Sequence, residues 1–254
     1  MDNGCRCTSD GLLNPILFNI LSQLDNSNQS PNNSGSIPHR CNCELRRTVR
    51  LKRPSEICKE ASAVLVKTIR FIKNLPAFKQ LPPGDQFTLL KNCWAPLFIL
   101  GLAQERVDFE VADVPADSML KKILLRRERG AETEREQPTV AGVSKLKSCL
   151  KKFWSLDLSP KEYAYLKGTT IFNPDIPDLN ASAFIECLQQ EAQQALSEVV
   201  QVLGPGWQER FARILLTASA LQSVTPGLVV ELFFRPVIGQ ADLLELLVDM
   251  LFYR

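Results

Sequence analysis

From Ile57 to Ile72 the apolar residues of this chain fall at Ile57, Ala61, Val64, Leu65, Ile69 and Ile72, in steps of 4-3-1-4-3. An α-helix repeats every 3.6 residues, so these positions share one face, and that face has to lie against a core. Ser55 is the expected N-cap, Glu56 offsets the helix dipole in the first turn, and Pro76 ends the helix. After a turn at Pro82-Pro83-Gly84, a second helix is expected from about Asp85 to Leu102. It is apolar almost all round beyond Cys93, the pattern of a helix covered on every side, and Pro96 inside it removes one backbone bond and should bend it. A chain holding one such helix must spend its remaining elements wrapping it.

Those elements also read as helices. Helical periodicity returns from Val143 to Trp154, and Ser159-Pro160-Lys161-Glu162 combines a capping box with proline in the first turn. Leu179 to Leu203 forms a long helix stopped by Gly204-Pro205-Gly206. Further helices are expected from Phe211 to Leu221, from Thr225-Pro226 through Phe234, and from Leu243 to Phe252. No alternating strand run competes, so the class is all-α. The charged stretch 126–138 reads as a surface loop or an exposed helix extension. Residues 22–38 are rich in Ser, Asn, Gln and Pro and hold too few apolar groups to fold. The expected organisation is a flexible N-terminal arm, 1–53, and a single domain, 54–254.

Charge and rare residues narrow the chemistry. The net charge is +2, from 30 basic and 28 acidic residues, which gives no global attraction to nucleic acid. The one local cluster, Arg46, Arg47, Arg50, Lys52 and Arg53, reads either as a solvated linker or as a nuclear-import or nucleic-acid patch. A single histidine, His39, removes the commonest general base and metal ligand, and no nucleophile–base pair takes its place. Of eight cysteines, Cys58, Cys93, Cys149 and Cys187 fall in helical segments as free thiols, which suits a cytosolic or nuclear protein. Cys5/Cys7 and Cys41/Cys43 have Cys-x-Cys spacing, unlike the Cys-x-x-Cys pairs of zinc modules. The expectation is therefore no enzyme, no metal and no cofactor. No apolar run reaches the roughly 18 to 20 residues of a membrane span.

The run Phe71-Ile72-Lys73-Asn74-Leu75-Pro76-Ala77-Phe78, then Leu81, then Asp85-Gln86-Phe87-Thr88-Leu89-Leu90-Lys91 and Trp94, resembles the signature of nuclear-receptor ligand-binding domains. The stretch from Leu158 to Leu179, with Glu162-Tyr163, Leu166-Lys167 and Phe172-Asn173-Pro174-Asp175, looks like a second family segment. Leu246-Leu247-Val248-Asp249-Met250-Leu251 looks like the family's activation helix. The resemblance covers residues 54–254 and implies a three-layer antiparallel helical sandwich. Receptors of this family normally carry a zinc-finger DNA-binding domain built on Cys-x-x-Cys pairs, and this sequence contains none. It is thus similar to the orphan receptors of the family that lack that domain.

For those, the resemblance implies a nuclear and cytoplasmic corepressor, active on bile-acid and cholesterol genes. Such a protein binds other nuclear receptors through Leu-x-x-Leu-Leu-like helices, blocks coactivators and recruits corepressors without touching DNA. Two segments have the spacing: Leu17, Ile20 and Leu21 in the arm, and Leu120, Ile123 and Leu124 in the domain. Positions i, i+3 and i+4 share a helical face and can fill a partner's groove. The first triplet is an apolar island in a polar arm, which favours docking. The second reads equally as core packing. On the receiving side the resemblance implies a coregulator groove with Lys73 and Asp249 as its charge clamp and Ile69, Gln86, Phe87, Leu90 and Lys91 along it. The competing reading is a ligand sensor, with an apolar pocket among the helices near 57–72, 93–102 and 211–234.

Overall fold

The computed structural model describes residues 47–114 and 137–252. Arg47–Arg254 forms one compact unit, so the domain begins ahead of the expected residue 54. The reason is a short ribbon. Strand β1 (Val49–Leu51) pairs antiparallel with β2 (Val111–Asp113), Val49 opposite Asp113 and Leu51 opposite Val111. Thr48 bridges Thr139, and the Val49 amide donates to the Pro138 carbonyl at 2.8 Å. Val49 and Leu51 face the core, which ties these residues to the domain.

Helix α1 (Pro54–Asn74) starts one residue before the expected cap. Proline's fixed φ and missing N–H suit the first helical position, so Pro54 takes it and Arg53, not Ser55, stands at the N-cap. All six residues of the apolar stripe from Ile57 to Ile72 are buried. The short α2 (Pro76–Lys79) inserts Phe78 into the core, and α3 (Pro83–Gln104) follows. Then come α4 (Val140–Leu156), whose first turn Thr139 caps through Gly142 N–H at 3.2 Å, and α5 (Pro160–Ile171), which carries the expected capping box. α6 (Ser182–Gln201) and α7 (Trp207–Ser219) are joined across Gly204-Pro205-Gly206, where Gly204 and Gly206 adopt positive φ. A 3₁₀ turn (Ala220–Ser223) leads on to α8, made of Pro226–Val229, a π turn at Val230–Phe234 and Arg235–Ile238. Helix α9 (Leu243–Phe252) closes the described chain.

Helix α3 lies in the middle of this helical sandwich. α1 packs on it from one side and α4 and α5 from others; α6 covers α5, and α7 covers α6. The free edge of α1 carries the π turn of α8 and, beyond it, α9. From Leu97 to Ala103 every residue of α3 is buried, as its all-round apolar sequence requires. Among the described residues no single helix is long and apolar enough to cross a membrane.

The α1–α3 crossing depends on Gly101, where an added Cβ would stand 2.6 Å from Val64 Cγ1 and 3.3 Å from Thr68 Oγ1. Val64 is β-branched and stiff within its helix, so it cannot swing away cheaply. Gly101→Ala should lower the urea midpoint, because an overpacking cost of about 1–3 kcal/mol outweighs a helix-propensity gain of about 1 kcal/mol. A raised midpoint would mean that the crossing is looser than described.

Candidate functional site

The first turn of α3 is locked from two sides. Asp85 is fully buried, and its carboxylate accepts hydrogen bonds from Asn180 N–H (3.0 Å), Asn180 Nδ2 (2.9 Å) and Ala181 N–H (2.8 Å). Burial pushes its pKa up, but these three donors outweigh burial and hold the carboxyl below the usual aspartate value. Gln86 Nε2 turns back to the Leu81 carbonyl at 2.8 Å. Phe87, next in the chain, keeps 40% of its surface exposed.

Helix α9 meets it. Leu243, Leu247 and Leu251, at i, i+4 and i+8, bury one face of α9, which packs on α1. The opposite face is left outward. Between it and Phe87 runs an open groove of about 450 Å³, lined by Phe87, Asp242, Leu244, Glu245, Val248 and Asp249. Three apolar side chains and three carboxylates line it, and among the described residues no basic side chain does.

Of the residues expected in a coregulator groove, the structure brings Phe87 and Asp249 together. Ile69, at 2% exposure, and Leu90, at 0%, are core residues beneath the surface and present nothing to a docking helix in this conformation. Lys73 is half-buried in the last turn of α1, Gln86 is held by Leu81, and Lys91 is exposed on α3; none of them lines the groove. Asp242, Leu244, Glu245 and Val248 were not singled out in the sequence. The sequence alone, with leucines at 243, 244, 246, 247 and 251, does not say which face turns inward; once Leu243, Leu247 and Leu251 are buried, Glu245 and Asp249 fall on the far side and Val248 on the flank. The candidate docking residues Leu17, Ile20 and Leu21, and Leu120, Ile123 and Leu124, lie outside the described residues, as do His39 and the cysteine pairs Cys5/Cys7 and Cys41/Cys43.

A second buried carboxylate joins the start of α5 to α7. Glu162 bonds the Ser159 amide at 2.7 Å and receives Arg210 Nε at 2.8 Å and Nη2 at 3.0 Å, so the capping box of α5 is also an ion pair to α7. Burial raises the Glu162 pKa, and the Arg210 and Ser159 contacts more than reverse it, leaving it below the usual glutamate value. The helices expected to enclose a ligand pocket meet directly. Phe98 of α3 packs against Phe233 and Phe234 at centroid distances of 5.8 and 5.2 Å, and Phe109 caps Phe233 at 5.1 Å. The Cys93 and Cys149 thiols are buried and pushed up to about 12 and about 11, which suits inert core thiols rather than nucleophiles. Among the described residues no group of three or more His, Cys, Asp or Glu is arranged to hold a metal ion.

Comparison with known proteins accords with this architecture. Residues 47–237 match the family described as the ligand-binding domain of nuclear hormone receptor. The chain is 50% identical over 255 residues to nuclear receptor subfamily 0 group B member 2 of Rattus norvegicus, covering 98% of this chain and 97% of that protein. The chain belongs to the nuclear hormone receptor family. The Homo sapiens member 2 is 48% identical over the same shares of both chains. Nuclear receptor subfamily 0 group B member 1 of Homo sapiens is 42% identical over 223 residues, 81% of this chain but 47% of that protein. Nuclear receptors are non-enzymatic transcription regulators, which is the class of this chain.

The depressed pKa values of Asp85 and Glu162 set an acid limit on this receptor domain. A carboxyl held low in the folded state contributes stability that is complete above its unfolded pKa, about 4, and is lost as pH falls through the folded value. Urea midpoints should therefore be flat from about pH 7 to 5 and fall below about pH 4. Asp85→Asn should lower stability at neutral pH and make the acid limb shallower. An unchanged acid limb in that variant would show that Asp85 is not among the responsible groups.

Proposed function

We propose that this chain is a transcriptional corepressor of other nuclear receptors that reaches promoters through them and not through DNA. The observation that carries this reading is a receptor ligand-binding-type domain presenting an open, half-apolar, acidic groove between α3 and α9. Its open, half-apolar lining suits a short amphipathic helix, whose apolar side chains would rest on Phe87, Leu244 and Val248. The carboxylates of Asp249 and Glu245 suit the exposed N–H groups and positive dipole end of such a helix. Corepressor segments are the partners we assign to this groove; the family resemblance also implies roles for Ile69, Lys73, Gln86, Leu90 and Lys91, none of which lines it in this conformation.

The same helix-in-groove chemistry works in the other direction. Leu17, Ile20 and Leu21 dock on the activation groove of a partner receptor and exclude its coactivator; Leu120, Ile123 and Leu124 offer a second such face. Two features support the absence of direct DNA contact. The net charge is only +2, and the basic cluster at the start of the domain is partly engaged, with Arg47 on Asp113 (2.9 Å), Lys52 on Glu110 (2.7 Å) and Arg53 on Glu56 (3.0 Å). The protein works in the nucleus, with a cytoplasmic share, on genes of bile-acid and cholesterol metabolism. A ligand-sensing role finds no support in the aromatic packing of Phe98, Phe233 and Phe234.

Displacement of a fluorescent coactivator peptide from a partner receptor's ligand-binding domain tests the two directions separately. The wild-type chain should displace it, and Leu17→Ala/Leu21→Ala should weaken displacement at least tenfold, as loss of two buried leucines implies. Phe87→Ala/Asp249→Ala should leave displacement intact but abolish capture of a corepressor fragment, with little change in melting midpoint because both side chains are exposed. Full displacement by the arm variant would remove the docking role of Leu17 and Leu21.

A further inference from the structure

The groove exists only while α9 stands where it does, and α9 is ten residues long, too short to hold itself as an isolated helix. Its position is set by the leucine seam on α1 and by the turn that delivers it from α8. That turn has backbone bonds of its own, from the Gly239 amide to the Arg235 carbonyl (3.1 Å) and from the Ala241 amide to the Ile238 carbonyl (3.2 Å), and the Arg235 side chain braces it across both ends. Arg235 Nε and Nη2 both meet Glu231 Oε1 at 2.9 Å, one helical turn back, while Nη1 donates to the carbonyls of Gly239 at 2.6 Å and Ala241 at 3.3 Å. The ion pair is largely withdrawn from solvent, with 25% of the Arg235 side chain and 16% of the Glu231 side chain exposed.

The local backbone makes such a clamp necessary. Pro236 has no N–H to give the Leu232 carbonyl, and the Arg235 amide bonds Val230 five residues back, in the π register. The chain then breaks at Gly239, with φ 60° and ψ −120°, a conformation that side-chain-bearing residues avoid. A Cβ there would meet nothing within 4 Å, so the requirement for glycine is conformational and not steric crowding. Asp242 Oδ1 then accepts the Leu244 amide at 2.9 Å and starts α9.

We infer that Arg235 is a positioning residue for the groove: by binding Glu231 and the Gly239 and Ala241 carbonyls together, it fixes the direction in which α9 leaves α8. Val248 and Asp249 face Phe87 as a consequence. Only a planar fork with several donors bridges a carboxylate and two carbonyls; a lysine, with one nitrogen, cannot hold both ends. The link to docking rests on the groove reading above, whereas the link to α9 does not.

The test uses the full chain and three variants, Arg235→Ala, Arg235→Lys and Gly239→Ala. Amide hydrogen exchange is followed over α9 and over α3, together with binding of a synthetic lysine-flanked Leu-x-x-Leu-Leu peptide. Exchange in α9 should accelerate about tenfold in Arg235→Ala and Gly239→Ala and less in Arg235→Lys, while exchange in α3 stays as in wild type. Peptide affinity should fall in the same order. Unchanged exchange in α9, or equal acceleration in α3 and α9, overturns the inference, the second because it marks a general loss of stability. If the wild-type chain does not bind the peptide, the groove reading fails, and the exchange data still decide the role of Arg235.

Discussion

The burial of α3 is the constraint on which the rest of the domain depends. From Leu97 to Ala103 no residue of that helix reaches solvent, so α1, α4 and α5 must each present an apolar face to it, and further helices must then cover those. Close approach is part of the same constraint, because at Gly101 the backbone of α3 comes against Val64 with no room for a methyl group. Interiors packed to this density transmit displacement rather than absorb it. The aromatic contacts among Phe98, Phe233 and Phe234 therefore tie the line of α8 to the line of α3.

The groove is a surface product of that interior. Asp85 is buried and locks the start of α3 to residues 180 and 181, and Phe87, two residues on, stays exposed. On the other wall, the leucine seam of α9 turns inward and leaves Asp242, Glu245 and Asp249 outward. One wall is fixed by a carboxylate that accepts three hydrogen bonds, the other by apolar burial and the Arg235 clamp. Hydrogen bonds to a charged, buried group are strong and directional, so the α3 wall is the rigid one. The α9 wall rests on the leucine seam of a short helix and on a turn braced by Arg235, and it is the wall on which regulation would act.

Much of this was legible in the sequence where a residue pattern repeats often enough to average out. The six-residue stripe from Ile57 to Ile72 located α1 and its buried face, Ser159 and Glu162 located the start of α5, and the bounds of α9 agree with the sequence at both ends. What escaped is what depends on a distant partner or on a single residue. β1 and β2 are three residues each, too short to show a period of two, and each exists only because the other lies about 60 residues away. Ser55 looked like the cap because serine is the better capping residue, but Pro54 beside it fits the first helical turn and moved the boundary. In α8 the consecutive buried residues Leu232, Phe233 and Phe234 have no α-helical period, since a π turn widens the buried arc. Asp249 was reached only through family resemblance, and Asp242 and Glu245 needed knowledge of which face of α9 turns inward.

The central claim is that this receptor-like chain acts through protein docking alone, and an electrophoretic mobility titration on a receptor response element at near-physiological salt tests it most directly. Non-specific phosphate attraction is weak under those conditions, so a retarded band reports specific engagement. The account predicts no retardation by the chain alone and a further-retarded band when a partner receptor is already on the DNA. Sequence-specific retardation by the purified chain without a partner would contradict it.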